Sequence, residues 1–103
     1  NNIFVSCSNM NTDPYQYLAN IHWHQVAEIH LAGHTIKKLP QGEIRIDTHN
    51  NPVCDEVWDM VDAYRDKLQH IPCLIEWDAD IPTLDVLMTE VKKADQHLGL
   101  TYA

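Results

Sequence analysis

The alternation of short apolar runs with longer stretches of helical spacing constrains this chain more than any other feature. Val26 to Leu31 (VAEIHL), Ile44 to Asp47 (IRID) and Cys73 to Trp77 (CLIEW) are too short for stable helices and read as strands, with Gly33 closing the first. Ile3 to Val5 reads as the end of a further strand, followed by a polar loop from Ser6 to Thr12. Asp13-Pro14 carries a helix start, Asp as the cap and Pro in the first turn, and predicts a short helix to about Asn20. Thr35 to Glu43, with Pro40 and Gly42, reads as a loop. Val57, Val61, Tyr64 and Leu68 recur at helical spacing and predict a helix over 53–69, which Pro72 ends. Asp80-Ile81-Pro82 opens a third helix, with Asp80 as its cap and Leu84, Leu87, Val91, Ala94 and Leu98 on one face; Gly99 ends it.

Strands alternating with helices imply βα units and a parallel sheet. Four strands and three helices are about half of a (β/α)8 TIM barrel, which takes roughly 250 residues, and the chain has 103. The expected fold class is therefore α/β, half of such a barrel, with residues 1–103 forming part of one domain. The opening Asn1-Asn2-Ile3-Phe4-Val5, without Met and already strand-like, reads as an excerpt.

Composition narrows the function. The formal net charge is −8 and the seven Lys and Arg are scattered, which argues against a nucleic-acid partner. Three Cys (Cys7, Cys54, Cys73), an odd count without CxxC spacing, make neither a disulfide framework nor a thiolate zinc site and fit a reducing cytoplasm. No apolar run is long enough to span a membrane, and no signal peptide is visible.

The polar residues gather where the predicted strands end. VAEIHL carries Glu28 and His30, two apart and so on one face, and His34 follows in the next loop. IRID ends in Asp47, with His49 two further on; CLIEW carries Glu76, with Asp78 two further on. Asp-x-His or Glu-x-Asp alone is a common pair, and a lone His such as His30 can be a hydrogen-bonded core residue. Three such sets at the ends of three successive strands are a different matter. TIM-barrel enzymes draw their catalytic groups from that end of the strands, and imidazole with carboxylate is the donor mix for iron, zinc or manganese. His22 and His24 fit surface or packing roles, and His70 and His97 sit at predicted helix C-termini, where the dipole favours them. Trp77, between Glu76 and Asp78, is placed to shape a pocket.

The runs Glu28-Ile29-His30-Leu31-Ala32-Gly33-His34, Ile46-Asp47-Thr48-His49, and Leu74-Ile75-Glu76-Trp77-Asp78 with Asp80-Ile81-Pro82 resemble the C-terminal signature of the multinuclear non-heme iron-dependent oxidases. Asn1-Asn2 resembles the end of that family's Asp-x-Asn-Asn strand, and the likeness runs to about Leu98. The resemblance implies the C-terminal half of a TIM barrel of the xylose isomerase-like type holding two or three irons. It implies dioxygen-dependent oxidation of cysteine residues in a ribosomally made precursor peptide, delivered by a small partner protein. By motif position, His30, Asp47, His49 and Glu76 match metal ligands, Asn2 and Asp78 match residues at or beside the metals, and His34 matches a nearby family His. Further ligands are expected from earlier strands, so this piece alone is expected to be inactive and prone to homo-oligomerise through open sheet edges. Two other readings stand beside this one. One is a zinc or manganese barrel enzyme, a phosphodiesterase or a sugar isomerase; the other is an inert βα module.

Overall fold

The computed structural model describes residues 1–99. Helices α1 (Asn2–Met10) and α2 (Pro14–Ala19) lead through a single 3-10 turn (Trp23–Gln25) to strand β1 (Ile29–Ala32). Strands β2 (Thr35–Leu39) and β3 (Gly42–Ile46) follow, then helices α3 (Asp55–Ala63) and α4 (Arg65–Leu68), strand β4 (Cys73–Glu76) and helix α5 (Leu84–Leu98). β1 and β4 pair in parallel, Ile29 opposite Cys73 and Ala32 opposite Glu76. The connection between them contains α3 and α4 and is a βαβ crossover. β2 and β3 form a separate antiparallel hairpin, Thr35 opposite Ile46 and Leu39 opposite Gly42. The chain is thus mixed α/β, with one parallel pair rather than the single four-stranded parallel sheet expected from the alternation.

Two predicted elements are corrected. Ile3 to Val5 lies in a helix, not a strand, and the helix continues to Met10, into the run Ser6 to Thr12 expected to be a loop. Phe4, Val5 and Cys7 are buried on its inner face, and Asn11 closes it in the left-handed conformation (φ 54°) with its N–H on the carbonyls of Cys7 and Ser8. An apolar run of this length holds too little periodicity to tell the two states apart, and tertiary burial decided. Thr35 to Glu43 is not a loop. Pro40 and Gln41 alone make the turn, and the flanking residues pair as a hairpin. Gly42 has φ 142°, a region that side chains avoid, and so marks the exit of that turn.

The helix starts are mixed. Asp13 caps α2 as predicted, its carboxylate accepting from the Tyr15 N–H at 2.9 Å. α5 begins after Thr83, not at Asp80, and ends at Gly99 in the left-handed conformation. The predicted 53–69 helix is interrupted at Tyr64. The core is built on α3, whose Val57, Trp58, Met60 and Val61 pack with Phe4, Leu18, Leu31, Val53, Leu68, Ala94 and Leu98. Each buried aliphatic side chain contributes about 1.5–3 kcal/mol relative to exposure. The predicted apolar face of α5 is only half used: Ala94 and Leu98 are buried, but Leu84 is 70% exposed and Val91 37%. Among the described residues no helix is long and apolar enough to cross a membrane.

Candidate metal centre

One end of the parallel pair carries the chemistry. β1 runs out at Ala32, and its partner in register is Glu76, so both strands deliver their last residues to the same edge. His30 sits on β1 with Nδ1 2.6 Å from Glu76 Oε1 and Nε2 2.8 Å from Glu28 Oε1. The loop after β3 brings the second imidazole. His49 Nε2 lies 2.9 Å from Asp47 Oδ1, and its Nδ1 lies 3.2 Å from Glu76 Oε2 and 2.8 Å from Asp78 Oδ2. His30, Asp47, His49, Glu76 and Asp78 therefore form one continuous chain of side chains, with His49 at its centre.

The backbone explains how this is held. His49 adopts a left-handed conformation (φ 53°), uncommon for a residue with a side chain. Its N–H donates to the Gly33 carbonyl at 3.2 Å, and its own carbonyl accepts from the Asp78 N–H at 2.8 Å. The loop is thus tied to the exits of β1 and β4 at a single residue. Gly33 is buried against that loop: a Cβ there would meet the Asn51 carbonyl oxygen at 2.0 Å. The loop is anchored further on by the Val53 N–H, which donates at 3.0 Å to Glu90, a carboxylate on α5 only 2% exposed.

The electrostatics are one-sided. Among the described residues, no Lys or Arg side chain contacts Glu28, Asp47, Glu76 or Asp78. The hydrogen bond to the Asp78 carboxylate raises the His49 imidazole above its usual value, aided by the charges of Asp47 and Glu76 and opposed by burial. A cation bound among these carboxylates would displace any proton from the imidazole nitrogen that it coordinates. His49, Glu76 and Asp78 each offer a ligand atom within 4.8 Å of one another. Nitrogen and oxygen donors without sulfur fit iron, zinc or manganese. The three Cys are free thiols, and Cys73 opens β4 at the end opposite Glu76.

The remaining predicted residues divide. Asn2 is exposed and donates from Nδ2 to Asp47 Oδ2 at 3.1 Å. His34 stands apart from the chain of contacts: its Nε2 accepts from the Arg45 guanidinium at 2.7 Å and its ring tilts against Phe4. Burial and that guanidinium lower its affinity for a proton. Asp80 lies in the turn before α5, where its carboxylate accepts from Asn50 at 3.2 Å. Trp77 donates from its indole to the Asp80 carbonyl at 3.2 Å and so braces the same turn. Asn1, which the motif match does not single out as a residue at the metals, lies deeper than Asn2. Its Nδ2 donates to Asp47 Oδ1 and to the Gly33 carbonyl, and its Oδ1 is buried without a partner. An orphaned carboxamide oxygen beside Asp47 suits a metal ligand. The doublet Asn1-Asn2 carried no sign of which of the two faces inward.

An α/β chain with a nitrogen and oxygen donor cluster at one end of parallel strands is the class that fold and site define. A model of the family described as RiPP precursor modification enzyme MbnB/TglH/ChrH matches residues 1–99. The chain belongs to this family, the multinuclear non-heme iron-dependent oxidases that its motifs resemble. A UPF0276 protein of Vibrio vulnificus (strain CMCP6) is 50% identical over 95 residues, covering 92% of this chain and 33% of the relative. UPF0276 proteins of Caulobacter vibrioides (strain NA1000 / CB15N) and Acaryochloris marina are 46% and 40% identical, covering 91% and 95% of the chain and 32% and 34% of those relatives. The chain thus spans about a third of the length of the curated relatives it matches. No solved structure matches it.

Proposed function

We propose that this chain supplies part of the metal centre of an iron-dependent oxidase that uses dioxygen to modify cysteine residues of a ribosomally made precursor peptide. The whole enzyme is a TIM barrel of the xylose isomerase-like type, two or three irons are held at the C-terminal ends of its strands, and a small partner protein delivers the peptide. The observation that carries the reading is His49. Both of its ring nitrogens face carboxylates, from its own loop and from the exit of β4, with no Lys or Arg in contact with them among the described residues. Such a group calls for cations.

His30, Asp47, His49, Glu76 and Asp78, with Asn1 and Asn2 beside Asp47, are more donors than one six-coordinate ion accepts, which favours more than one ion. Iron with open positions among such ligands can take both a thiolate and dioxygen. The chain's own part is to hold the donors rigidly. Asp47 and His49 share one loop pinned through Gly33, and the two carboxylate oxygens of Glu76 reach one imidazole each.

The test is elemental analysis of the intact protein beside turnover of a Cys-containing precursor peptide. His49→Ala should lose at least one iron per chain and all peptide oxidation. Asp78→Ala, whose side chain is 67% exposed, should keep part of its metal. Zinc or manganese in place of iron, or full iron and activity in His49→Ala, would overturn the assignment.

A further inference from the structure

We propose that the outer edge of β2 is a docking strand for an extended, acidic segment of the peptide substrate, feeding it toward the cluster at the base of the hairpin. The proposal rests on the peptide-modifying function above and adds to it the place and chemistry of substrate binding. The β2–β3 hairpin grows directly out of the centre: its first residue, Thr35, lies two beyond Gly33, whose carbonyl holds the His49 N–H, and Asp47 follows its last, Ile46.

The two outer edges of this hairpin are treated differently. That of β3 is taken up at Arg45 by α1. Asn9 of α1 donates to the Arg45 carbonyl at 2.8 Å and accepts from the Arg45 N–H at 2.8 Å. Both main-chain groups of Arg45 therefore point away from β2, which makes Ile36–Arg45 a non-hydrogen-bonded pair. By alternation Lys38–Glu43 is the next such pair, so the N–H and C=O of Ile36 and Lys38 point outward from β2. Among the described residues nothing pairs with them, and residues 36–39 are all exposed. An edge of this kind, without proline or bulge, is a template for an added strand.

Charge selects the occupant. The hairpin carries Lys37, Lys38 and Arg45, three of the chain's seven Lys and Arg, against one carboxylate, Glu43 opposite Lys38, in a chain of net charge −8. Lys37 and Lys38 project to opposite faces of β2, so an acidic side chain on either face of an added strand meets a cation. A second copy pairing edge to edge would set lysines against lysines, which is unfavourable. An added strand lies about 4.8 Å from β2 and advances about 3.3 Å per residue. A cysteine a few residues beyond the acidic pair would then reach the base of the hairpin, where Asp47 and His49 lie.

The experiment is fluorescence anisotropy of the intact, metal-loaded protein with a short labelled peptide alternating Thr and Val, with two adjacent Glu a few positions before one Cys. Ile36→Pro removes an outward N–H that the β2–β3 ladder does not use. It should weaken binding about tenfold, the scale of one or two net main-chain hydrogen bonds, with metal content and urea midpoint unchanged. The double change Lys37→Glu and Lys38→Glu should weaken the Glu peptide similarly and favour a Lys peptide instead. N-methylation of alternate peptide amides should abolish binding with the protein unaltered, which keeps the test independent of any folding defect. Three results would overturn the proposal: unchanged affinity in Ile36→Pro, no binding by the unaltered protein with its metal in place, or a change of oligomeric state in Ile36→Pro. All are read without turnover, so they are distinguishable from failure of the oxidase assignment, which the His49→Ala metal analysis tests.

Discussion

Replacing Gly33 by alanine should strike both stability and the metal centre, because this one position sets the distance between the β1 exit and the loop that carries His49. The added Cβ would lie 2.0 Å from the Asn51 carbonyl oxygen, 2.4 Å from its carbon and 2.6 Å from the Pro52 oxygen, against an ordinary contact that begins at 3.4 Å. All three are backbone atoms, so no side-chain rotation relieves the clash and the loop must retreat by about 1.4 Å. Overpacking of this kind costs about 1–3 kcal/mol. Stretching the His49 N–H to Gly33 carbonyl bond, already 3.2 Å, removes about 1 kcal/mol more. We expect a loss of about 3 kcal/mol in urea denaturation of the metal-free intact protein. We also expect reduced metal content after reconstitution, since ligand distances tolerate only about 0.2 Å. Gly42→Ala is the contrast: its Cβ would meet nothing within 4 Å, so only the backbone penalty at φ 142° applies and the metal should be retained. A Gly33→Ala protein within about 0.5 kcal/mol of the parent and fully metallated would refute the argument that this close approach positions the loop.

Two further outcomes follow from buried groups. Glu90 accepts from the Val53 N–H and from Lys93 Nζ, each at 3.0 Å, so Glu90→Ala strands a buried donor and should cost about 2–3 kcal/mol in urea denaturation, while Glu90→Gln should cost clearly less. Equal losses in the two variants would show that the Val53 bond is not the anchor. Burial pushes the Cys73 thiol up to about 11. Its alkylation by iodoacetamide near neutral pH should therefore run about a hundredfold slower than that of an unperturbed thiol, and all three Cys should titrate as free thiols once denatured. Rapid labelling of Cys73 in the folded protein, read by peptide mass spectrometry, would contradict this.

Much of the candidate site was legible in the residues themselves. Asp47 and His49, two apart after an apolar run, and Glu76 and Asp78, two apart across the end of another, lie in the region where β1 and β4 end. Strand pairing in register needs only β-forming runs and a helix between them, and Val57, Met60 and Val61 supplied that helix at a spacing no strand shares. Asp13-Pro14 and Gly99 likewise marked real helix ends, because capping is local chemistry.

What the sequence did not carry is whatever depends on a partner far along the chain. Ile3 to Val5 became helix because Phe4, Val5 and Cys7 found a core to bury in, and propensity in so short a run is weaker than burial. Lys37 and Lys38 masked the alternation of β2, which only its register with β3 reveals. The choice of Asn1 over Asn2 as the inward carboxamide, and the left-handed turn at His49, are set by contacts with Asp47, Gly33 and Asp78. Local residue types determined which chemistry this chain can hold. The tertiary structure alone decided which donors meet, because distances between side chains from separate segments are fixed by how the backbone packs and not by spacing along it.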